Sequence, residues 1–226
     1  MNREDKIHKG QTLLNDINNY RPLEKPMADT TAKRVQRMIE SLLQEDHIGD
    51  PTAKWLSLMP NPPRIPVFYT ITKIHKPTPV SRPIISGCNG PTERLSAFVN
   101  HLLQPIAQIQ PSYLKDTTDF INFVEKTKLP LNTILVSMDV TSLYTNIPQE
   151  EGINTVCEAY KEFHQGNPPV PTRYLREMPS LILQENSFQF NRKDFLQSHG
   201  MAMGTKMAVA FANIFMAKIE REILTE

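Results

Sequence analysis

The sequence predicts an α+β fold, an antiparallel sheet with helices packed on one face. Three observations point there. The stretch "ILVSMDV", residues 134–140, alternates, with Ile134, Val136, Met138 and Val140 facing one way and Leu135, Ser137 and Asp139 the other, which is the period of a strand. Several longer stretches space their apolar residues three and four apart, the period of helices. Neither a GxGxxG nor a Walker sequence occurs, so a doubly wound nucleotide fold and a phosphate-cradling P-loop are both set aside.

Element by element, the first helix is "TAKRVQRMIESLLQEDHIGD", with Val35, Met38, Ile39, Leu42 and Leu43 on one stripe. Asp29 or Thr30 can cap its start, and Gly49 follows its end. "PNPPRIPVFYTITKIHK" is proline-rich, then β-branched and aromatic, and predicts a strand near Val67–Ile74. Leu95, Phe98, Val99, Leu102 and Ile106 share a helical face. "KDTTDFINFVEK" predicts a short helix capped by Asp116 or Thr117. "PTRYLREMPSLIL" predicts a helix that Pro179 limits or kinks, and "LILQENSFQFN" a hairpin turning at Glu185-Asn186. "GMAMGTKMAVAFANIFMAKIEREI" is a glycine-rich entry into a helix striped by Phe211, Ile214, Phe215, Ile219 and Ile223. There is no internal repeat and no low-complexity tract.

Composition narrows the class. The 226 residues are 39% hydrophobic and 22% charged, enough for one or two cores, and the net charge of +1 gives no global basic field, so any nucleic-acid footprint must be local. Cys88 and Cys157 are far apart and form no CxxC pair, which predicts a reducing compartment and no zinc site. Charged residues follow Met1, and no apolar run reaches the length of a membrane span. The expectation is an intracellular protein, nuclear or cytoplasmic and not secreted.

Asp139 poses the sharpest question. A carboxylate at the end of a buried strand is costly unless a metal ion, a cation or solvent compensates it. A polar turn and Tyr144 follow at once. From these residues alone, Asp139 could equally cap a turn and Tyr144 could be a half-buried core aromatic. Lys73, Lys76 and Arg82 could be a solvated basic hairpin, and the glycine turn a helix start with a packed methionine.

Three stretches taken together carry a resemblance: "KIHKPTPVSRPIISG", "DVTSLYTNIP" and "GMAMGTKMAVAFANIFMAKIERE". In this order they resemble the reverse transcriptase of Penelope-like retroelements, a family allied to telomerase reverse transcriptase. The resemblance runs from about Leu13 to the end. It implies an RNA-directed DNA polymerase of right-hand shape, a nucleotidyltransferase working on an RNA template, a DNA primer and deoxynucleoside triphosphates, with Mg²⁺ or Mn²⁺. It further implies an N-terminal helical extension over 1–50 and a reverse transcriptase domain over 51–226, with fingers at about 51–107 and an incomplete palm at about 108–226.

The resemblance also implies roles. Asp139 matches the palm aspartate that binds two Mg²⁺ ions, with the Val140 carbonyl as a further oxygen; hard oxygen donors and few carboxylates suit that ion. Tyr144 matches the ring that excludes a ribonucleotide's 2′-hydroxyl. Arg82 matches the guanidinium that forks the incoming triphosphate, and Lys73 and Lys76 are its basic companions. On a strand Lys73 and His75 share one face and Lys76 takes the other, so one lysine joins Arg82. The family pattern often has Leu-Pro before this lysine, where "TIT" stands here. Related polymerases carry Gln-Gly, three residues, then Ser-Pro, ahead of a helix with Ala-Asn. Counting back from Ala212-Asn213 puts Gly204 on the glycine, Met203 on the glutamine, and Ala208-Val209 on Ser-Pro. Met203 packs where glutamine would hydrogen-bond.

No Tyr-X-Asp-Asp sequence occurs. The resemblance therefore implies fingers and a palm truncated before the second catalytic Asp motif, with no thumb, and a fragment inactive alone. A non-catalytic, domesticated nucleic-acid- or protein-binding module is the alternative. A palm polymerase that makes RNA is a third reading, and Tyr144 argues against it.

Overall fold

The computed structural model describes residues 3–74 and 80–224. In chain order the helices are α1 (Arg3–Leu14), α2 (Ala28–Gln44), α3 (Asp50–Leu56), α4 (Glu93–Gln108), α5 (Thr117–Lys126), α6 (Leu143–Asn146), α7 (Gln149–Phe163), α8 (Thr172–Gln184) and α9 (Ala208–Leu224). The strands are β1 (Tyr20–Leu23), β2 (Val67–Lys73), β3 (Val80–Ser86), β4 (Ser187–Phe190) and β5 (Lys193–Gln197). They form one sheet in the order β1-β5-β4-β2-β3. Three of its pairings are antiparallel, but β2 meets β4 in parallel at Val67 and Gln189. The α+β class holds, with a mixed rather than purely antiparallel sheet.

Two cores divide the apolar residues. On one sheet face Phe68, Ile85, Phe188 and Phe195 pack with Leu14 of α1, Tyr20 of β1 and Ala202. Phe68 stacks on Phe188, and Phe188 on Phe195. The larger core is helical. It joins Val35, Ile39 and Leu42 of α2, Leu95, Val99 and Leu103 of α4, Val156 and Tyr160 of α7, Leu175 and Met178 of α8, and Phe211 and Ile214 of α9. Apolar area removed from water at roughly 25 cal/mol per Å² makes this layer the main source of stability.

The strand expected at 134–140 does not form. Residues 133–140 join no ladder among the described residues, and every residue from 114 to 142 is exposed. Ile134 is 84% exposed and Met138 91%. The alternation is there, but a strand gains its hydrogen bonds only from a neighbour, and an isolated extended segment satisfies its backbone with water instead. α5 does form, with the Asp116 side chain accepting the Asp119 N–H (2.9 Å), yet it buries none of its residues.

Smaller corrections have similarly local causes. The hairpin turns at Asn191-Arg192, not Glu185-Asn186. Both turn residues have positive φ (46° and 63°), the two-residue geometry that matches strand twist. Residues 181–184 instead complete α8, because Ile182 and Leu183 are buried in the helical core. α8 continues through Pro179, which is itself buried. Neither Asp29 nor Thr30 caps α2; Met27 stands at the cap, and the Thr30 hydroxyl donates to the Met27 carbonyl (2.7 Å). Gly49 opens α3. Ile223, expected on the α9 stripe, is 65% exposed.

Candidate nucleotide site

The β2–β3 hairpin presents two unlike faces. Phe68 and Ile85 point into the sheet core. Pairing of Tyr69 with Ile84, Ile71 with Arg82 and Lys73 with Val80 puts those six residues on the opposite face. Lys73 and Arg82 are diagonal neighbours there, about 7–8 Å apart between Cα atoms. Arg82 is exposed and Lys73 half-buried, so the two cations can converge on one anion. Lys76 and His75 lie outside the described residues.

The glycine turn docks beside this hairpin. Ile85 donates its N–H to the Met203 carbonyl (3.0 Å). Gly204 has φ +122°, and a Cβ placed there would come within 2.4 Å of the Ile85 carbonyl oxygen. Both facts require glycine. The close approach is to β3 itself, three residues along the strand from Arg82, about 10 Å at the usual rise. Met203 is half-buried.

At its other end the same turn grips the Tyr144 segment. Ser142 is in the left-handed region (φ 53°) and reverses the chain into α6. Met201 donates its N–H to the Tyr144 carbonyl (2.7 Å). Gly200, at φ +64°, lies so close that a Cβ would meet the Thr145 backbone at 2.5 Å. Gln149 Nε2 donates to the Gly200 carbonyl (2.9 Å). The Tyr144 side chain is half-buried against the helical core. Residues 200–204 therefore connect Tyr144 to β3, and three stretches far apart in sequence meet.

Asp139 stands apart from this contact set. Its carboxylate is exposed and has no hydrogen-bond or ion-pair partner among the described residues. Val140 is 47% exposed. No group of three or more His, Cys, Asp or Glu side chains that could hold a metal forms among the described residues.

Further residues support the turn from below. Glu93 and Ser96 of α4 reach Lys206 and the Met207 N–H, at 3.1 and 3.0 Å. No motif marks them, although a serine between Leu95 and Val99 on an apolar stripe is a visible irregularity. α7 carries no motif either, and its Ile153, Val156, Cys157 and Tyr160 follow plain helical spacing.

The mixed α+β architecture is compatible with part of a reverse transcriptase fold. Residues 74–226 match the family described as reverse transcriptase (RNA-dependent DNA polymerase). The chain belongs to that family. No curated protein matches it. Members of the family typically use divalent metals, and the oxygen-only donors offered by Asp139 and the Val140 carbonyl fit a hard cation in kind. No helix among the described residues is long and apolar enough to cross a membrane.

Proposed function

We propose that this chain is the nucleotide-handling portion of an RNA-directed DNA polymerase of the Penelope-like, telomerase-allied kind. It comprises fingers (about 51–107), palm residues (about 108–226) and an N-terminal extension (1–50) that is helical except for β1, which joins the sheet. The observation that carries the reading is the glycine turn, bonded at Met201 to Tyr144 and at Met203 to β3. Those contacts link the basic hairpin and the aromatic segment through one turn that is exposed at Gly204.

In this reading Arg82, with Lys73 or Lys76, binds the triphosphate by charge-assisted hydrogen bonds. The Tyr144 ring lies against the sugar and leaves no room for a 2′-hydroxyl. Met203 and Gly204 pack under the nascent base pair. Asp139 and the Val140 carbonyl would hold Mg²⁺ or Mn²⁺, which when bound stabilises charge at the transferring phosphate. Two-metal chemistry of this kind would also need a second carboxylate beside Asp139.

Primer extension on an RNA template, with a Tyr-X-Asp-Asp hairpin supplied after Glu226, tests the assignments. Asp139→Ala abolishes incorporation while template–primer binding persists, because that affinity is spread over many backbone contacts. Tyr144→Ala retains deoxynucleotide incorporation and admits ribonucleotides. Arg82→Ala raises the nucleotide KM more than it lowers kcat. Near-normal incorporation by the Asp139 variant, or unchanged sugar selectivity in the Tyr144 variant, contradicts the corresponding role. Nucleic-acid binding with no incorporation by the completed protein favours the non-catalytic module instead.

A further inference from the structure

The first turn of α4 carries two polar side chains, Glu93 and Ser96, that reach the residues just ahead of α9. Ser96 is 2% exposed on a stripe otherwise made of Leu95, Val99 and Leu103. Its hydroxyl oxygen accepts the N–H of Met207 (3.0 Å), a residue with no exposure at all. Met207 directly precedes α9, where backbone donors have no carbonyl of their own helix to reach. Three residues earlier, and so on the same helical face, Glu93 takes Lys206 Nζ at 3.1 Å on one oxygen and the Asn89 N–H at 2.7 Å on the other. Burial acts to raise the Glu93 carboxyl, but the Asn89 N–H and Lys206 outweigh it and hold it below the ordinary 4.5.

We propose that Glu93 and Ser96 are positioning residues that fix the height of the glycine turn 200–207 above the β2–β3 hairpin, and so set how the incoming deoxynucleotide is seated. This rests on the polymerase reading. The turn has two anchors on the nucleotide side, at Tyr144 and Ile85, and these α4 contacts are its anchors on the opposite side. Glu93 additionally fixes Asn89, which is in the left-handed region (φ 59°) just past the end of β3. One carboxylate thus ties the hairpin's exit to the turn's exit. Because Lys206 is half exposed, its ion pair is the weaker of the two anchors, and Ser96 is the stronger.

Two measurements on the 226-residue chain separate this role from general stability. Hydrogen exchange is followed at the amides of residues 203–208 in Ser96→Ala and Glu93→Gln, the latter keeping an acceptor for Asn89. The expected result is exchange faster by about tenfold or more there in Ser96→Ala, a smaller rise in Glu93→Gln, and no change at the core amides of α8. A double-mutant cycle with Lys206→Met should show Glu93→Gln adding nothing once Lys206 is gone. Unchanged exchange in Ser96→Ala, or additive effects in the cycle, overturns the anchors. In the second measurement, fluorescence anisotropy gives the affinity for a primed RNA template and for a deoxynucleoside triphosphate bound to that complex. Ser96→Ala should weaken the nucleotide by about tenfold or more, as a displaced contact does, while template–primer affinity stays unchanged. An equal loss of both affinities overturns the positioning role. An unsubstituted chain that binds no deoxynucleotide overturns the polymerase reading, and with it the role, while the exchange result still decides the anchors.

Discussion

The Tyr144 end of the "DVTSLYTNIP" motif is held in place by the glycine turn, and the Asp139 end is not. The glycine turn touches Tyr144, Thr145, Ile85, Ser96, Glu93 and Gln149. Residues 114–142, which include Asp139, are exposed throughout. The difference is not one of local propensity, since "ILVSMDV" alternates as well as any strand and α5 is properly capped. It lies in the neighbours available. The turn falls between a sheet edge and two helices that have already buried their apolar stripes, whereas the Asp139 segment meets no partner edge among the described residues. Long-range packing fixes the glycine turn and the Tyr144 segment, and nothing among the described residues packs on the Asp139 segment.

The largest effects should come from the helical core. Leu175 and Phe211 have no exposure, so Leu175→Ala should cost about 2–5 kcal/mol and Phe211→Ala about 3–5 kcal/mol, read from denaturant midpoints. Val136→Ala and Leu135→Ala, of similar chemistry in the exposed segment, should stay within about 0.5 kcal/mol. Comparable losses in both regions would erase the contrast. Next in size is Gly200→Ala. Its positive φ and the Thr145 backbone 2.5 Å from a Cβ should cost about 1–3 kcal/mol or more, and expose residues 198–206 to protease ahead of global unfolding. Equal protease resistance in this variant would show that the turn can shift without cost.

A pH effect is smaller and more specific. The folded-state carboxyl of Glu93 is held below its ordinary value of 4.5. Its stabilising contribution is therefore complete above about pH 4.5 and is lost as pH falls through the lower folded value. Exchange at residues 203–208 should rise across that acid window in the unsubstituted chain, and the rise should be absent in Glu93→Gln. The smallest effect expected is on stability in Asp139→Asn, because the carboxylate has no partner to lose. A midpoint shift matching about 2 kcal/mol would reveal an interaction at Asp139 after all.

The sequence was informative where local pattern and burial agree. The stripes of α2, α4 and α9 and the strand β2 are legible from spacing alone. The β4–β5 hairpin was misplaced because Glu185-Asn186 looks like a turn, while the left-handed pair Asn191-Arg192 sits beside charged residues that mask its strand flanks. The glycine turn at Gly204 was legible, but the reason for the glycine was not: the atom that excludes a Cβ belongs to Ile85, far away in sequence. The roles of Glu93, Ser96 and Gln149 were not legible for the same cause, since the partner of each belongs to a turn far away in sequence.

The central claim is that the hairpin face, the Tyr144 segment and the glycine turn form one nucleotide site. Photolabelling the 226-residue chain with an azido-purine deoxynucleoside triphosphate, then mapping the modified peptides, tests it most directly. The account predicts label in peptides from residues 69–84 and 198–206, displaced by unlabelled deoxynucleotide and lost in Arg82→Ala. Label confined to other parts of the chain, or undiminished in Arg82→Ala, would contradict it.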